Sequence, residues 1–482
     1  MKTQDAHGKK NAAPQRFRRL SIIASVLAIT MIGFGGAGRA EEPVTTVTFW
    51  DFTEHAAGLT EELVAQFNET IGKEKGVQIE FSNPGRNYEQ AFNSALESGN
   101  PPDIFLGMGG RLDMPTLVEG QHVLALEDIP GGKEFLAQYA PQDLFIPGTH
   151  TYRGKTYSVP SYFFTIKLIY NKELFVKAGI VDADGKAKPP VTWAEAREDA
   201  QKITQLQPGE TFGFVFPMKG AQTGTAFIYF WLWKFIRPFI PSIGHDYFDH
   251  QQGKYHFSDF RPALEFLLSL KQDGSVVPNE LTMSDDAARI QFGQAGNVGM
   301  YIGASWDTGV LGHTYPATID WGVAELPVFD PAKAFKNVAV AREGAYISAQ
   351  AAQKDLANVF EVYKYLHSDA WQIRMYEEAT FIPSMPRMKA LAAKQSQEKG
   401  WAEFANVEHT IPALPVPDSL LTIEGDVWDN VLQMIYNGQV NMDEALADLD
   451  QRYNAAYQQA IADGKVNPDD YYYPTYDLRL TP

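Results

Sequence analysis

The stretch Gly154-Lys-Thr-Tyr-Ser-Val-Pro-Ser-Tyr-Phe-Phe-Thr-Ile-Lys-Leu-Ile-Tyr-Asn-Lys-Glu-Leu-Phe175 decides how the rest of the chain is read. It holds two short extended runs in one line. The first, 157–159, stops at Pro160, which fixes its own φ and removes a donor, and a run of β-formers follows from Phe163 to Tyr170. Asn171 then stands where its side chain can cap a helix. The turn residues a hairpin needs are missing between 163 and 170, so the chain is expected to travel onward, as a backbone does when it crosses from one body to another.

N-terminal to this crossing the pattern alternates strand and helix. The run 44–52, Val-Thr-Thr-Val-Thr-Phe-Trp-Asp-Phe, reads as a strand. Leu59, Leu63, Val64, Phe67 and Ile71 recur at spacings of three and four, making 60–71 an amphipathic helix. A strand over 77–81 and a helix over 87–96 follow, the helix stopped by Gly99 and Pro101-Pro102. A third strand, 103–106, runs into Gly107-Met-Gly-Gly110. This is the order of an α/β domain with a mostly parallel sheet. Such sheets hold ligands beyond the carboxyl ends of their strands, here 50–55, 82–88 and 107–111.

C-terminal to the crossing, Thr192 is the expected N-cap of a helix over 194–203, and 212–216 reads as a strand. The run 227–239 is apolar all round, as in a buried helix or the wall of a cavity. Helices are expected over 262–270 and 287–292, and strands over 298–302, 321–326, 338–340 and 345–348. Leu356, Val359, Phe360 and Tyr363 form one helix face, with a partner helix from Trp371. The passage 381–386 is a second extended, proline-marked segment, and helices close the chain around 427–435 and 442–461. The tyrosine-rich tail 471–476 has two readings, a strap packing through its rings or a contact surface for a partner.

The first 40 residues have the form of an export signal. Lys9, Lys10, Arg16, Arg18 and Arg19 precede a mostly apolar run over 20–34, and Gly38-Arg39-Ala40 ends in small residues, so cleavage after Ala40 is expected. Arg18-Arg19 raises the twin-arginine route beside the general secretory one, and the choice stays open. Gly33-Phe-Gly-Gly-Ala-Gly38 spells a dinucleotide fingerprint but follows no strand and opens no helix. Losing the leader removes seven basic residues and Asp5, a net +6, and takes the charge from −18 to −24. A chain that acidic repels nucleic acid and anionic lipid. The absence of cysteine excludes disulfides, thiolate metal sites and a lipidated N-terminal Cys. Periplasmic location and a monomer are expected.

Motifs for chemistry are missing. There is no H-E-x-x-H and no phosphate-binding G-x-x-x-x-G-K-[ST], and the histidines lack metal-ligand spacing. Gly303-Ala-Ser-Trp-Asp307 approaches a nucleophile elbow but has Asp where the second Gly belongs. Asp182-Ala-Asp184-Gly185 lacks the remaining ligands of a calcium loop. No cofactor and no catalytic activity are expected. The competing reading is a secreted carbohydrate-active hydrolase, which needs only one Asp/Glu pair at the right separation.

Gly154-Lys-Thr-Tyr-Ser-Val-Pro160, then Leu168-Ile-Tyr-Asn-Lys-Glu-Leu-Phe175 and Pro189-Pro-Val-Thr-Trp193, resemble bacterial extracellular solute-binding proteins, the maltose-binding-protein-like sugar receptors of ABC importers. The resemblance continues through Phe292-Gly-Gln-Ala-Gly-Asn-Val-Gly-Met300, residues 303–306, Glu325-Leu-Pro327 and 344–348. It implies a two-lobed periplasmic-binding-protein fold of type II, with a three-crossing hinge and an interlobe cleft. The lobes would be 41–164 with 344–382, and 165–343 with 383–482, crossing near 163–167, 341–346 and 381–387. It also implies a receptor that captures a sugar or polyol and delivers it to the membrane permease subunits of an ABC importer.

Strand-end position places Trp50, Glu54, His55, Tyr88, Gly109 and Arg111 on one edge of the first lobe, facing Trp306 and Asp307. Phe163, Arg342 and Glu343 lie on crossings, and Tyr229 and Trp231 on the apolar run. By the resemblance, Trp306 matches a stacking tryptophan and Trp428 a further aromatic. Glu54 and His55 match a charged pair of the first loop, with His where the relative has Lys.

Overall fold

The computed structural model describes residues 44–107, 112, 114–139, 145–219, 247–408, 410–412 and 414–475. The expected leader, the stretch with Gly109 and Arg111, the apolar run with Tyr229 and Trp231, and the end of the tail lie outside the described residues. Strand β1 (Thr45–Trp50) buries Val47 and Phe49 while its threonines stay half-exposed. Strands β2 (Val77–Ser82) and β3 (Ile104–Leu106) run parallel to it on either side. The intervening helices, Ala57–Glu69 and Tyr88–Glu97, bury Leu63, Val64, Phe67 and Phe92. Ile71 departs from the expected helix face. Thr70 leaves helical backbone at φ −115° and ψ −97°, so the helix stops at Glu69 and Ile71 is 41% exposed.

The crossing begins with a feature absent from the sequence reading, a hairpin of β4 (Thr151–Tyr152) and β5 (Lys155–Thr156). Arg153 and Gly154 turn it at φ 49° and 75°, with the Arg153 guanidinium 2.7 Å from Glu119. A left-handed arginine carries no residue-type signal. Strand β6 (Pro160–Phe164) then starts on the proline that was read as a stop; at the first strand position its missing N–H is not needed. Strand β7 (Ile166–Asn171) follows, in a different sheet. The expected crossing is therefore present, with its joint at the buried Thr165. The Thr165 carbonyl accepts from the Ser305 N–H at 3.0 Å and its hydroxyl donates to the Phe404 carbonyl at 2.7 Å.

Both expected caps are made. Asn171 accepts from the Glu173 and Leu174 N–H groups, and Thr192 forms a capping box with Glu195 at the start of helix Trp193–Thr204. After β8 (Phe212–Val215), β9 (Phe248–Asp249) and β10 (Lys254–Tyr255) form a hairpin, and β11 (Val298–Ala304) and β12 (Trp321–Ala324) complete the second sheet. Its order is β12-β7-β11-β8, with β7 antiparallel to both neighbours and β11 parallel to β8. All of β7 and β11 is buried, as central strands covered on two faces require. Ile166, Leu168 and Tyr170 pack towards the C-terminal helices Trp428–Tyr436 and Met442–Ala462, and Ile169 packs on the other face with Phe292 and Trp321.

Strands β13 (Asn337–Glu343), β14 (Ala345–Ile347), β15 (Ile382–Pro383) and β16 (Thr410–Pro412) close the topology. The first sheet reads β14-β3-β1-β2, and a third reads β15-β6-β13-β16. Strand β6 is thus paired on one side with β13 and on the other with β15, so all three crossing segments share one hydrogen-bonded sheet. The step from β13 to β14 is also one residue, Gly344. A Cβ there would lie 2.2 Å from His367 Nε2 and 2.9 Å from the Val159 carbonyl, so only glycine fits. Met385 and Met388 belong to the core of the first sheet. Of the tail, Tyr471 is buried against Phe248 and the Tyr473 N–H donates to the His250 carbonyl at 2.8 Å, a strap on the β9–β10 hairpin. Among the described residues no helix is long and apolar enough to cross a membrane.

His367 locks the Gly344 joint. Its Nδ1–H donates to the Tyr363 carbonyl at 2.8 Å, and its Nε2 accepts from the Ala345 N–H at 3.0 Å. Burial pushes its pKa down to about 4, against the opposing pull of the Tyr363 bond. The unfolded chain takes up a proton near pH 6.5 while the folded chain resists until about 4, so this contribution is complete above 6.5 and is lost on acidification between those values. The loss should amount to about 3 kcal/mol, read from denaturant melts at pH 7.5 and 4. In His367→Gln that pH dependence should shrink, with stability at pH 7.5 lower by about 1–3 kcal/mol; an unchanged pH dependence would contradict the assignment.

Candidate functional site

The carboxyl ends of the first sheet are shaped by short polar turns. Asp51 Oδ1 accepts from the Thr53 N–H at 2.7 Å, and the chain turns through the single-turn helix Glu54–Ala56 into Ala57–Glu69. After β2, Asn83 Oδ1 accepts from the Gly85 N–H at 2.9 Å. Gly85, at φ 57°, lies against the Glu54 carboxylate, where a Cβ would meet Oε1 at 2.5 Å. Two of the three predicted loops thus meet. Tyr88 holds them from inside: it is 0% exposed, its hydroxyl donates to the Leu106 carbonyl at 2.7 Å, and its ring packs on Phe52 and the half-buried Trp50.

On the second sheet, β11 ends in a turn held by a buried ion pair. Asp307 Oδ2 accepts from the Ala304 N–H at 2.8 Å, and Oδ1 accepts from Arg289 Nε at 2.7 Å. Burial alone would lower the Arg289 pKa, but the Asp307 charge, with help from Tyr301 and Asp285, more than offsets it and keeps the guanidinium charged. Asp307 is thereby committed to holding the turn that carries Trp306. Lys167, also buried at this edge, is paired with Glu325.

The three sheets meet at rings. Trp306 lies 4.9 Å from Phe164 on β6 and 6.4 Å from His55 on the first-sheet edge. His55 stands edge-on to Phe381 at 5.7 Å, and Phe381 stacks on Tyr162 at 3.8 Å. Burial pushes the His55 pKa down to about 4; a bond to the Thr380 backbone works the other way, as does Asp307, while Arg289 adds to the lowering. The imidazole is neutral at pH 7.

Of the predicted site residues, His55 and Trp306 reach this junction directly; Glu54 is exposed beside Gly85 in the adjoining turn, and Trp50 packs with Tyr88. Strand period moves Phe163 away: Tyr162 and Phe164 share the ring face, while Phe163 points oppositely, into the cluster of Tyr376, Ile382 and Trp401. Trp428 is 5% exposed in the second core, against Tyr247 at 5.0 Å. Arg342 and Glu343 face Tyr162 and Pro160 in the β13–β6 register, and their side chains lie outside the described residues.

Sequence reasoning passed over Tyr162, Phe164 and Phe381, as well as the polar side chains of Thr53, Asn83 and Thr308. Thr53 Oγ1, His55 Nε2, Asn83 Nδ2 and Thr308 Oγ1 are buried without a hydrogen-bond partner. All four sit in strand-end turns, on both sheets. The signal for Thr53 and Asn83 was only their place in those loops. An unpaired buried polar atom costs about 1–3 kcal/mol, which an incoming polar group can recover.

The model for bacterial extracellular solute-binding proteins matches residues 50–373. A binding protein of Brucella abortus is 26% identical over 298 residues, 61% of this chain, and the match spans 66% of that relative's length. An sn-glycerol-3-phosphate-binding periplasmic protein of Brucella melitensis is 23% identical over 385 residues, 76% of this chain and 80% of its own. Among solved structures, the GacH receptor of Streptomyces glaucescens, studied with acarbose, superposes with a TM-score of 0.63 at 18% identity, covering 88% of this chain and all (100%) of that one. The maltose/maltodextrin-binding domain MalE of Bdellovibrio bacteriovorus, bound to maltotriose, superposes at 0.62 and 18% identity, covering 87% and 100%. The architecture is the type II periplasmic-binding-protein fold, two lobes on a three-crossing hinge, and the chain belongs to the family of bacterial extracellular solute-binding proteins.

Proposed function

We propose that this chain is a non-enzymatic, periplasmic receptor that holds a carbohydrate or polyol between the lobes and hands it to the permease subunits of an ABC importer. The lobes would be 44–164 with 344–391, and 165–343 with the residues after 391; Met385 and Met388, packed in the first core, move the last boundary beyond the expected 382. One observation carries the reading: the half-buried Trp306 sits at the end of a rigid, ion-paired turn on the second sheet and meets His55 from the first. Flat apolar faces suit sugar rings, and neutral polar atoms beside them suit hydroxyls. The described cations at this edge, Lys167 and Arg289, are each matched by a carboxylate, which favours an uncharged ligand over an anion. The relatives studied with acarbose and maltotriose support the same class.

A thermal-shift screen of neutral oligosaccharides and polyols should find a ligand that raises the melting temperature and is recovered chemically unchanged at one per protein. Turnover without retention would favour the hydrolase. Trp306→Ala should weaken that ligand at least about tenfold, about 1.4 kcal/mol, with the fold intact by circular dichroism; normal binding would remove Trp306 from the site. Protein exported from a Gram-negative host should begin at Glu41 by mass spectrometry, having lost the 40-residue leader, and a retained leader would contradict the periplasmic reading.

A further inference from the structure

Resting on that reading, we infer that His55 determines specificity, its Nε2 acting as a hydrogen-bond acceptor that reads a ligand hydroxyl and disfavours phosphorylated solutes. The tautomer follows from the contacts. The imidazole bond to the Thr380 backbone raises the pKa, so it is an N–H donated to the carbonyl. Nε2 is buried without a partner, so Nδ1 is the donor and Nε2 keeps its lone pair in the neutral ring. Phe381 and Trp306 hold the ring at the meeting of the two lobes.

The chemistry around Nε2 selects what it can accept from. Arg289 is already engaged by Asp307 and Asp286 and Lys167 by Glu325, so the described cations at this edge are matched by carboxylates, and Glu54 in the same turn adds a negative charge unfavourable to an anionic ligand. A sugar hydroxyl is both donor and acceptor. It can donate to the unpartnered His55 Nε2 and still accept through its own oxygen from another donor. A phosphate dianion has only acceptor oxygens, so against Nε2 it sets lone pair against lone pair in a desolvated place.

The test is calorimetric titration with maltotriose, xylotriose and sorbitol as neutral probes, and sn-glycerol-3-phosphate and sorbitol-6-phosphate as anionic ones. Wild type should bind at least one neutral probe and prefer it at least tenfold over both phosphates. His55→Phe keeps a ring of similar size without an acceptor and should lose at least tenfold for the neutral probe, while His55→Gln, which restores an uncharged acceptor, should recover part of that loss. His55→Lys should lower the ratio of neutral to phosphorylated affinity at least tenfold, and it decides the matter if His55→Phe does not fold. Neutral binding unaffected by both Phe and Lys would overturn this inference and leave the receptor reading standing. Binding of only the phosphates, or of none of the five probes, would overturn both.

Discussion

The pairing of β6 with β13 on one side and β15 on the other is the constraint on which the rest of the molecule depends. A strand that leaves one sheet must satisfy its backbone N–H and C=O groups before it joins the next. Here the three segments that pass between the lobes satisfy one another, in a ladder belonging to neither of the two larger sheets. Two of the crossings change sheet at a single residue, Thr165 or Gly344, with no slack loop. Thr165 is tied to Ser305 and Phe404, and Gly344 to Val159. Short joints of this kind keep the edges of the two sheets in register, so that Trp306 and His55 meet across the cleft.

The site built on this frame separates charge from recognition. The Arg289–Asp307 pair is buried, and removing one partner of such a pair costs about 3–5 kcal/mol because the other is left uncompensated. Its charges hold the turn that carries Trp306. Among the described residues, the rings of Trp306, Phe164, His55, Phe381 and Tyr162 meet beside this pair, and His55 is neutral. On the proposed reading, that division would give directional contacts without an anion's desolvation cost.

Much of this was legible in the sequence, because the frame rests on local signals. The alternation of 44–106, the caps at Asn171 and Thr192 and the absence of a turn within 163–170 each have a local cause, and each appears in the structure. One misreading was local, and one omission was not. Pro160 looked like a stop because proline cannot donate within a ladder, yet the first position of a strand tolerates it. Arg153 carried no turn signal because it is held in place by Glu119, distant in sequence. The site was less legible because facing is set by register, not by residue type. Phe163 and Phe164 are indistinguishable as letters, and only the strand period in the β6–β13 ladder decides which one meets Trp306. Trp428 and Tyr88 show the opposite case, aromatic residues whose burial is fixed by helices and strands far along the chain. The polar atoms of Thr53, Asn83 and Thr308 become informative only once their lack of partners can be counted.

The central claim is that one ligand is gripped simultaneously by the edges of both sheets. Amide hydrogen exchange with and without a saturating neutral ligand tests it most directly, because protection is read segment by segment. The account predicts that 51–56, 83–88 and 304–308 all slow together on binding, along with the crossing residues 160–165. Protection confined to one sheet, or located on a face remote from these turns, would contradict it.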